Sequence, residues 1–141
     1  MREFFDSSVL IAAFWGGHAN HGASIQCLSG ANKKHSSCGI HSLAEVYAVM
    51  SSLPVAPGIP PEQVMLFVEE VRGRLTVVSL DEKEYFQTIQ KCADRGFTSG
   101  RVYDALLLSC AEKSGAQTIF TWNLKHFEVL APELAARIRT P

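Results

Sequence analysis

The sequence predicts an α/β domain in three layers, a central parallel sheet with helices on both faces. Segments that read as strands alternate with segments that read as helices along the chain, the order that builds parallel βαβ units. The 141 residues, 47% of them apolar and 19% charged, suit a sizeable single core and one domain spanning 1–141. The first strand also stops on an acid, Asp6. Right-handed crossovers bring the strands' carboxyl ends to one edge, and open α/β sheets bind ligands at that edge.

Met1 to Phe5 reads as a short strand whose apolar content is Phe4 and Phe5. Asp6 ends it, Ser7 and Ser8 are good helix-start residues, and Val9 to Ala13 continue as a helix's apolar side. The glycines of Trp15 to Gly22 mark a loop. Ala23 to Ala31 reads as a second helix. After the polar connection Lys33-Lys34-His35, Ser36 to Ile40 is the weakest strand of the sheet. Ser42-Leu43-Ala44-Glu45 has the spacing of a capping box and opens a helix to about Leu53. Prolines make 54–61 a loop and lead into a helix from about Glu62 to Arg72, closed by Gly73. Leu75 to Val78 is a β-branched strand. Asp81 and Glu84 form a second capping box, starting a helix that ends near Gly96. Beyond the loop Phe97 to Gly100, Arg101 to Lys113 is a helix apolar almost all the way round, stopped by Gly115. Thr118 to Phe120 is a strand, Thr121 to Asn123 a turn and Leu124 to Phe127 a helical turn. Glu128 to Leu130 reads as a last short strand, before a short terminal helix from Pro132.

A net charge of -1 gives no overall basic field, which argues against a duplex-binding protein. Cys27, Cys38, Cys92 and Cys110 make no Cys-x-x-Cys pair and match no zinc spacing. Free thiols in a reducing cytoplasm are the simplest account of them. No apolar run approaches the ~20 residues of a membrane span. A strand and an acid stand where a signal peptide's apolar stretch would lie, so a cytoplasmic location is expected.

Asp6 taken alone suits a helix cap better than catalysis. Asp104 is harder to explain structurally. It sits in Arg101-Val102-Tyr103-Asp104-Ala105-Leu106-Leu107, a helix expected to be buried, where an unpaired carboxylate is costly. Arg101 offers it an ion pair, or offers a contact to a substrate phosphate. Glu45 fits the capping box, yet it also lies in the first turn after a strand candidate, at the edge that carries Asp6. Asn123 follows the strand Thr118 to Phe120, where an Asx-turn or cap is the alternative. Carboxylates brought close repel and cannot all stay ionised without a cation. Oxygen-only ligands select a hard ion, Mg2+ or Mn2+, over zinc. Such an ion polarises phosphoryl oxygens and lowers the pKa of a bound water. The residues therefore point to metal-assisted phosphodiester hydrolysis.

Four stretches carry a family resemblance: Phe5-Asp6-Ser7-Ser8-Val9-Leu10, Leu43-Ala44-Glu45-Val46, Gly100-Arg101-Val102-Tyr103-Asp104-Ala105-Leu106 and Thr121-Trp122-Asn123-Leu124-Lys125-His126-Phe127. In their order, spacing and strand–helix setting the chain resembles the PIN-domain family, and within it the VapC-type toxins of prokaryotic toxin–antitoxin pairs. The resemblance covers essentially the whole chain. It implies a Mg2+- or Mn2+-dependent endoribonuclease with a parallel sheet of about five strands. It also implies that Asp6, Glu45 and Asp104 hold metal and position the attacking water. Asn123 departs from the further Asp usual in the wider family, while VapC-like members often carry Asn. Asn123 and Thr121 are accordingly assigned to supporting the water or a ligand, and tight binding of a second metal is not expected. Similarity further implies a homodimer, and a small antitoxin whose tail enters the active-site groove. The Pro54 to Pro61 loop and the apolar helices around it are candidate partner surfaces.

Other readings compete. A phospho-receiver domain is also α/β with clustered acids, but pairs two acids after its first strand and carries a Lys after its last. Here the early acids are Glu3 and Asp6, and no Lys directly follows Ile119-Phe120. A haloacid-type phosphatase needs a second Asp where Ser8 stands. A catalytically inactive PIN-like module that binds RNA or protein is the nearest alternative, and the three acids argue against it. His18 and His21 lack a third ligand of suitable type. His41 suits solvent as well as substrate, and His126 suits packing or surface. Lys33, Lys34 and Lys125 are solvated or form part of an RNA rim.

Overall fold

The computed structural model describes residues 1–141. Strands β1 (Glu3–Phe5), β2 (Ser36–Gly39), β3 (Thr76–Val78), β4 (Thr118–Phe120) and β5 (Ile138–Arg139) form one parallel sheet in the order β3-β2-β1-β4-β5. Helices α1 (Ser7–Phe14), α2 (His21–Ser29), α3 (His41–Met50), α4 (Pro61–Arg74), α5 (Glu82–Asp94), α6 (Arg101–Ser114) and α7 (Leu124–Leu130) connect them, with a 3-10 turn at Pro132–Arg137. The three-layer α/β/α architecture expected from the alternation is the one adopted. The strand order also removes the phospho-receiver reading, because receivers use the flavodoxin-like order 2-1-3-4-5.

β1 lies at the centre, with Phe4 in register with Ser37 of β2 and Ile119 of β4. Successive strand side chains point to opposite faces, so Phe4 and Phe5, both 0% exposed, enter different cores. Phe5 packs with Val9, Cys38, Val46, Val64 and Val71, under α1, α3 and α4. Phe4 packs with Leu107, Ala111, Ile119, Phe127 and Ile138, under α6 and α7. Each ring contributes about 1.5–3 kcal/mol of transfer free energy on burial. Two buried faces are what let such short strands hold one sheet. From β1 the chain adds β2 and β3 on one side, then β4 and β5 on the other. The carboxyl ends of β1 and β4 therefore flank the point where the winding reverses, the usual ligand crevice of such sheets.

Several boundaries differ from expectation. Glu128 to Leu130 is the end of α7, not a strand, because helical spacing puts Phe127 and Leu130 together in one core. The fifth strand is Ile138–Arg139 instead. α3 starts at His41, which leaves Ser42 inside the helix. The Ser42 hydroxyl faces the Ser7 hydroxyl at 2.7 Å, both buried, so the predicted capping box with Glu45 does not form. The Asp81 box does form: Asp81 N donates to Glu84 Oε1 at 2.9 Å, and Glu84 N to Asp81 Oδ1 at 2.8 Å. α4 runs through Gly73 to Arg74, and α2 begins at His21 inside the expected loop. Gly115 ends α6 in the left-handed conformation, with φ 72°. All four cysteines are free thiols. No helix is long and apolar enough to cross a membrane.

Candidate active site

Asp6 follows β1 directly and caps α1 in extended backbone, with φ -69° and ψ 155°. Its Oδ2 accepts from Ser8 Oγ at 2.6 Å, from Thr121 Oγ1 at 2.8 Å and, more weakly, from Ser8 N at 3.4 Å. Ser8 Oγ in turn accepts from Trp122 N at 3.0 Å, and Thr121 Oγ1 from Asn123 N at 3.0 Å. The end of β4 thereby locks the carboxylate at the end of β1. Every hydrogen bond falls on Oδ2, which leaves Oδ1 open to a ligand. Asp6 is 2% exposed. Burial raises its pKa, outweighing the Ser8 and Thr121 hydroxyls that pull the other way.

Glu45 and Asp104 complete the group. Glu45 Oε1 is buried and accepts no hydrogen bond. His41 Nε2, one turn earlier on α3, lies 3.4 Å away without hydrogen-bond geometry. Burial pushes the Glu45 carboxyl up to about 7, the charges of Asp6 and Asp104 push it the same way, and the Ser7 hydroxyl opposes them. Asp104 stands half-buried in the first turn of α6. Burial, and then the Asp6 charge, push it up to about 6, with His126 opposing. No Lys or Arg acts on any of these three carboxyls. Acids from the end of β1, from α3 and from α6 thus crowd one another at the carboxyl edge of the sheet.

The remaining predicted residues fare differently. Arg101 forms no ion pair with Asp104; it is exposed, with its guanidinium 5.7 Å from the Phe97 ring centre. It shares a pocket with Lys125 and His126. Thr121 holds Asp6 rather than facing solvent. Asn123 is exposed and its side chain caps nothing, so the cap reading does not hold. His18 Nδ1 accepts from Asn20 N at 3.0 Å, and His21 Nδ1 bonds Ala12 O at 2.9 Å, which makes both loop fasteners. Ser8 is the residue that sequence reasoning read only as a helix start. The Asp-x-Ser spacing at a helix start was the available signal, since such side chains bond locally.

No three His, Cys, Asp or Glu side chains gather closely enough to ligate one ion directly. The donor set still fits a hard divalent cation. It is oxygen-only and mutually repelling, and both Asp6 Oδ1 and Glu45 Oε1 are free of hydrogen bonds. Mg2+ is commonly held by one or two carboxylates, with water and substrate phosphate completing the shell. An open site of this kind suits that mode.

The PIN domain family model matches residues 4–131. Ribonuclease VapC40 from Mycobacterium tuberculosis is 29% identical over 118 residues, covering 81% of this chain and 81% of the relative. Among solved structures, Mycobacterium tuberculosis VapC20, described as a sarcin-ricin loop cleaving toxin, superposes with a TM-score of 0.72 at 16% identity. That superposition covers 90% of this chain and 94% of VapC20. VapBC2 from Rickettsia felis, solved bound to a promoter DNA fragment, gives 0.65 at 18% identity over 99% of this chain and 98% of its own. VapBC-1 from nontypeable Haemophilus influenzae gives 0.65 at 15% identity, over 99% and 98%. The family match runs from within β1 to just past α7 and spans every element that bears one of the three acids; the chain belongs to the PIN domain family.

Proposed function

We propose that this chain is an endoribonuclease that hydrolyses RNA phosphodiester bonds with Mg2+ or Mn2+, and that it is the toxin of a toxin–antitoxin pair. One observation carries the reading. Asp6, Glu45 and Asp104 are driven together at the carboxyl edge of the sheet, and no Lys or Arg offsets them. Crowded carboxylates of this kind call for a cation. The name of the VapC40 relative supports ribonuclease activity.

Asp6, Glu45 and Asp104 would hold the cation, directly or through its bound waters, and the cation when bound would polarise a phosphoryl oxygen and lower the pKa of an attacking water. Ser8 and Thr121 fix the Asp6 carboxylate so that Oδ1 points free. Glu45, with Asp6 and Asp104, would position the attacking water beside the cation. Asn123, exposed beside Thr121, supports the water or the substrate. Arg101, free of any acid, meets substrate phosphate. Residues 1–141 act as one domain. A homodimer, a small antitoxin partner and a cytoplasmic location complete the proposal, and the likeness to VapBC2 and VapBC-1 supports the antitoxin.

The test is cleavage of a mixed panel of structured and single-stranded RNAs by purified protein, with Mg2+ or Mn2+ and with EDTA. Cutting is expected to need the metal and to fall by about 100-fold or more in Asp104→Asn, the scale of losing one transition-state stabiliser. Cutting by folded Asp104→Asn at the wild-type rate would overturn the assignment.

A further inference from the structure

Beside the acids stands a pair of rings that neither the core nor the proposed chemistry uses. Tyr103 precedes Asp104 on α6, and His41 lies one turn before Glu45 on α3. The rings stack with 5.0 Å between centres and 9° between planes, joining two helices that each carry an acid. Neither ring is consumed by packing: Tyr103 is 50% exposed, and the His41 side chain keeps 35% of its surface. Ile40, 51% exposed, extends the apolar rim. A flat aromatic surface is therefore presented to solvent at the lip of the site.

Charge balance makes that surface matter. Lys and Arg number 13 against 14 Asp and Glu, and the site itself is acidic. Attraction to phosphates, the usual main source of nucleic-acid affinity, is weak in such a chain. Stacking a base on an aromatic ring needs no charge and tolerates any sequence, because every base has a π-face. We propose that Tyr103, backed by His41, is the platform on which an unpaired nucleobase beside the scissile phosphate stacks. Bases within a duplex are already stacked on their neighbours, and only unpaired ones splay onto protein rings. This proposal rests on the ribonuclease reading above.

The experiment uses the full chain with Mn2+ and a labelled single-stranded RNA oligonucleotide of mixed sequence, carrying 2-aminopurine at successive positions. Wild type, Tyr103→Ala and Tyr103→Phe are compared, each checked for folding by circular dichroism and for mass by light scattering. Tyr103→Ala is expected to raise KM by about 10-fold or more with a smaller change in kcat, since stacking holds ground and transition states alike. Tyr103→Phe keeps the ring and is expected to stay within about 2-fold of wild type. At one position 2-aminopurine fluorescence is quenched by wild type and Tyr103→Phe, and not by Tyr103→Ala. The same sequence annealed into a duplex is cut about 10-fold more slowly or worse. An unchanged KM and unchanged quenching in Tyr103→Ala, while wild type cuts RNA, would overturn the platform alone. So would equal cutting of duplex and single strand. A variant that alters mass but not KM assigns the rings to contact between copies and overturns it too. If wild type neither binds nor cuts the oligonucleotide, the ribonuclease reading falls and takes the platform with it.

Discussion

The hydrogen bonds that Thr121 and Ser8 make to Asp6 all fall on one of its oxygens. A side chain fixed in this way presents its other oxygen in one direction, which is what a supporting shell does for a metal ligand. Thr121→Val keeps the shape and removes the donor. It is expected to lower RNA cleavage by about 10–100-fold with the fold retained, as read by initial rates beside a circular dichroism spectrum. The raised pKa values give a second expectation. Glu45 stands at about 7 against an ordinary 4.5, and Asp104 at about 6 against 3.8. Each binds its proton more tightly folded than unfolded. The stability they contribute is full below the ordinary values and is lost as pH rises through the folded ones. Without a cation, the melting temperature of wild type relative to Glu45→Gln therefore falls between about pH 4 and about pH 7. Added Mn2+ reverses that loss. A relative melting temperature that rises across the same window would contradict the crowding, which also involves Asp6, His41 and His126. Asp104 was legible in the sequence because an acid among apolar helical neighbours is costly. Tyr103 was not, because its partner His41 is close only in the folded chain.

Elements fold here where local chemistry and tertiary packing agree, and shift where they disagree. The Asp81 and Glu84 box satisfies two backbone donors within one turn, and it formed as read. Ser42 and Glu45 have the same spacing, but the Ser7 hydroxyl claims Ser42 and the acids of the site surround Glu45. The stretch Glu128-Val129-Leu130 is too short for its period to separate strand from helix, and contact with the Phe4 core decides it. β5 has only Ile138 and Arg139, so no pattern announces it. Gly39 ends β2 for a reason that only packing reveals: a Cβ there would lie 2.7 Å from Leu107 Cδ2, under α6. Leu107 is fully buried, so its side chain must shift within the core to admit that carbon. Gly39→Ala is expected to cost about 1–3 kcal/mol, measured as a lowered urea midpoint. An unchanged midpoint would mean that α6 is free to lift from the sheet.

Across the whole molecule, function follows from where the chain reverses its winding. Phe4 and Phe5 anchor one central strand in two cores, and that strand ends on Asp6 beside the end of β4. Helices α3 and α6 then bring Glu45 and Asp104 to the same edge from opposite sides of the sheet. The alternation of elements made this architecture readable from sequence, whereas the depth of each acid and the partners of Asp6 depend on the closed fold. The central claim is that these acids form one cation site. Its most direct measurement is calorimetric titration of Mn2+ into purified wild type, Asp6→Asn and Asp104→Asn. The account predicts saturable binding to wild type that is weakened by about 10-fold or more in each variant. Wild-type affinity retained in both variants, with their folds intact, would contradict it.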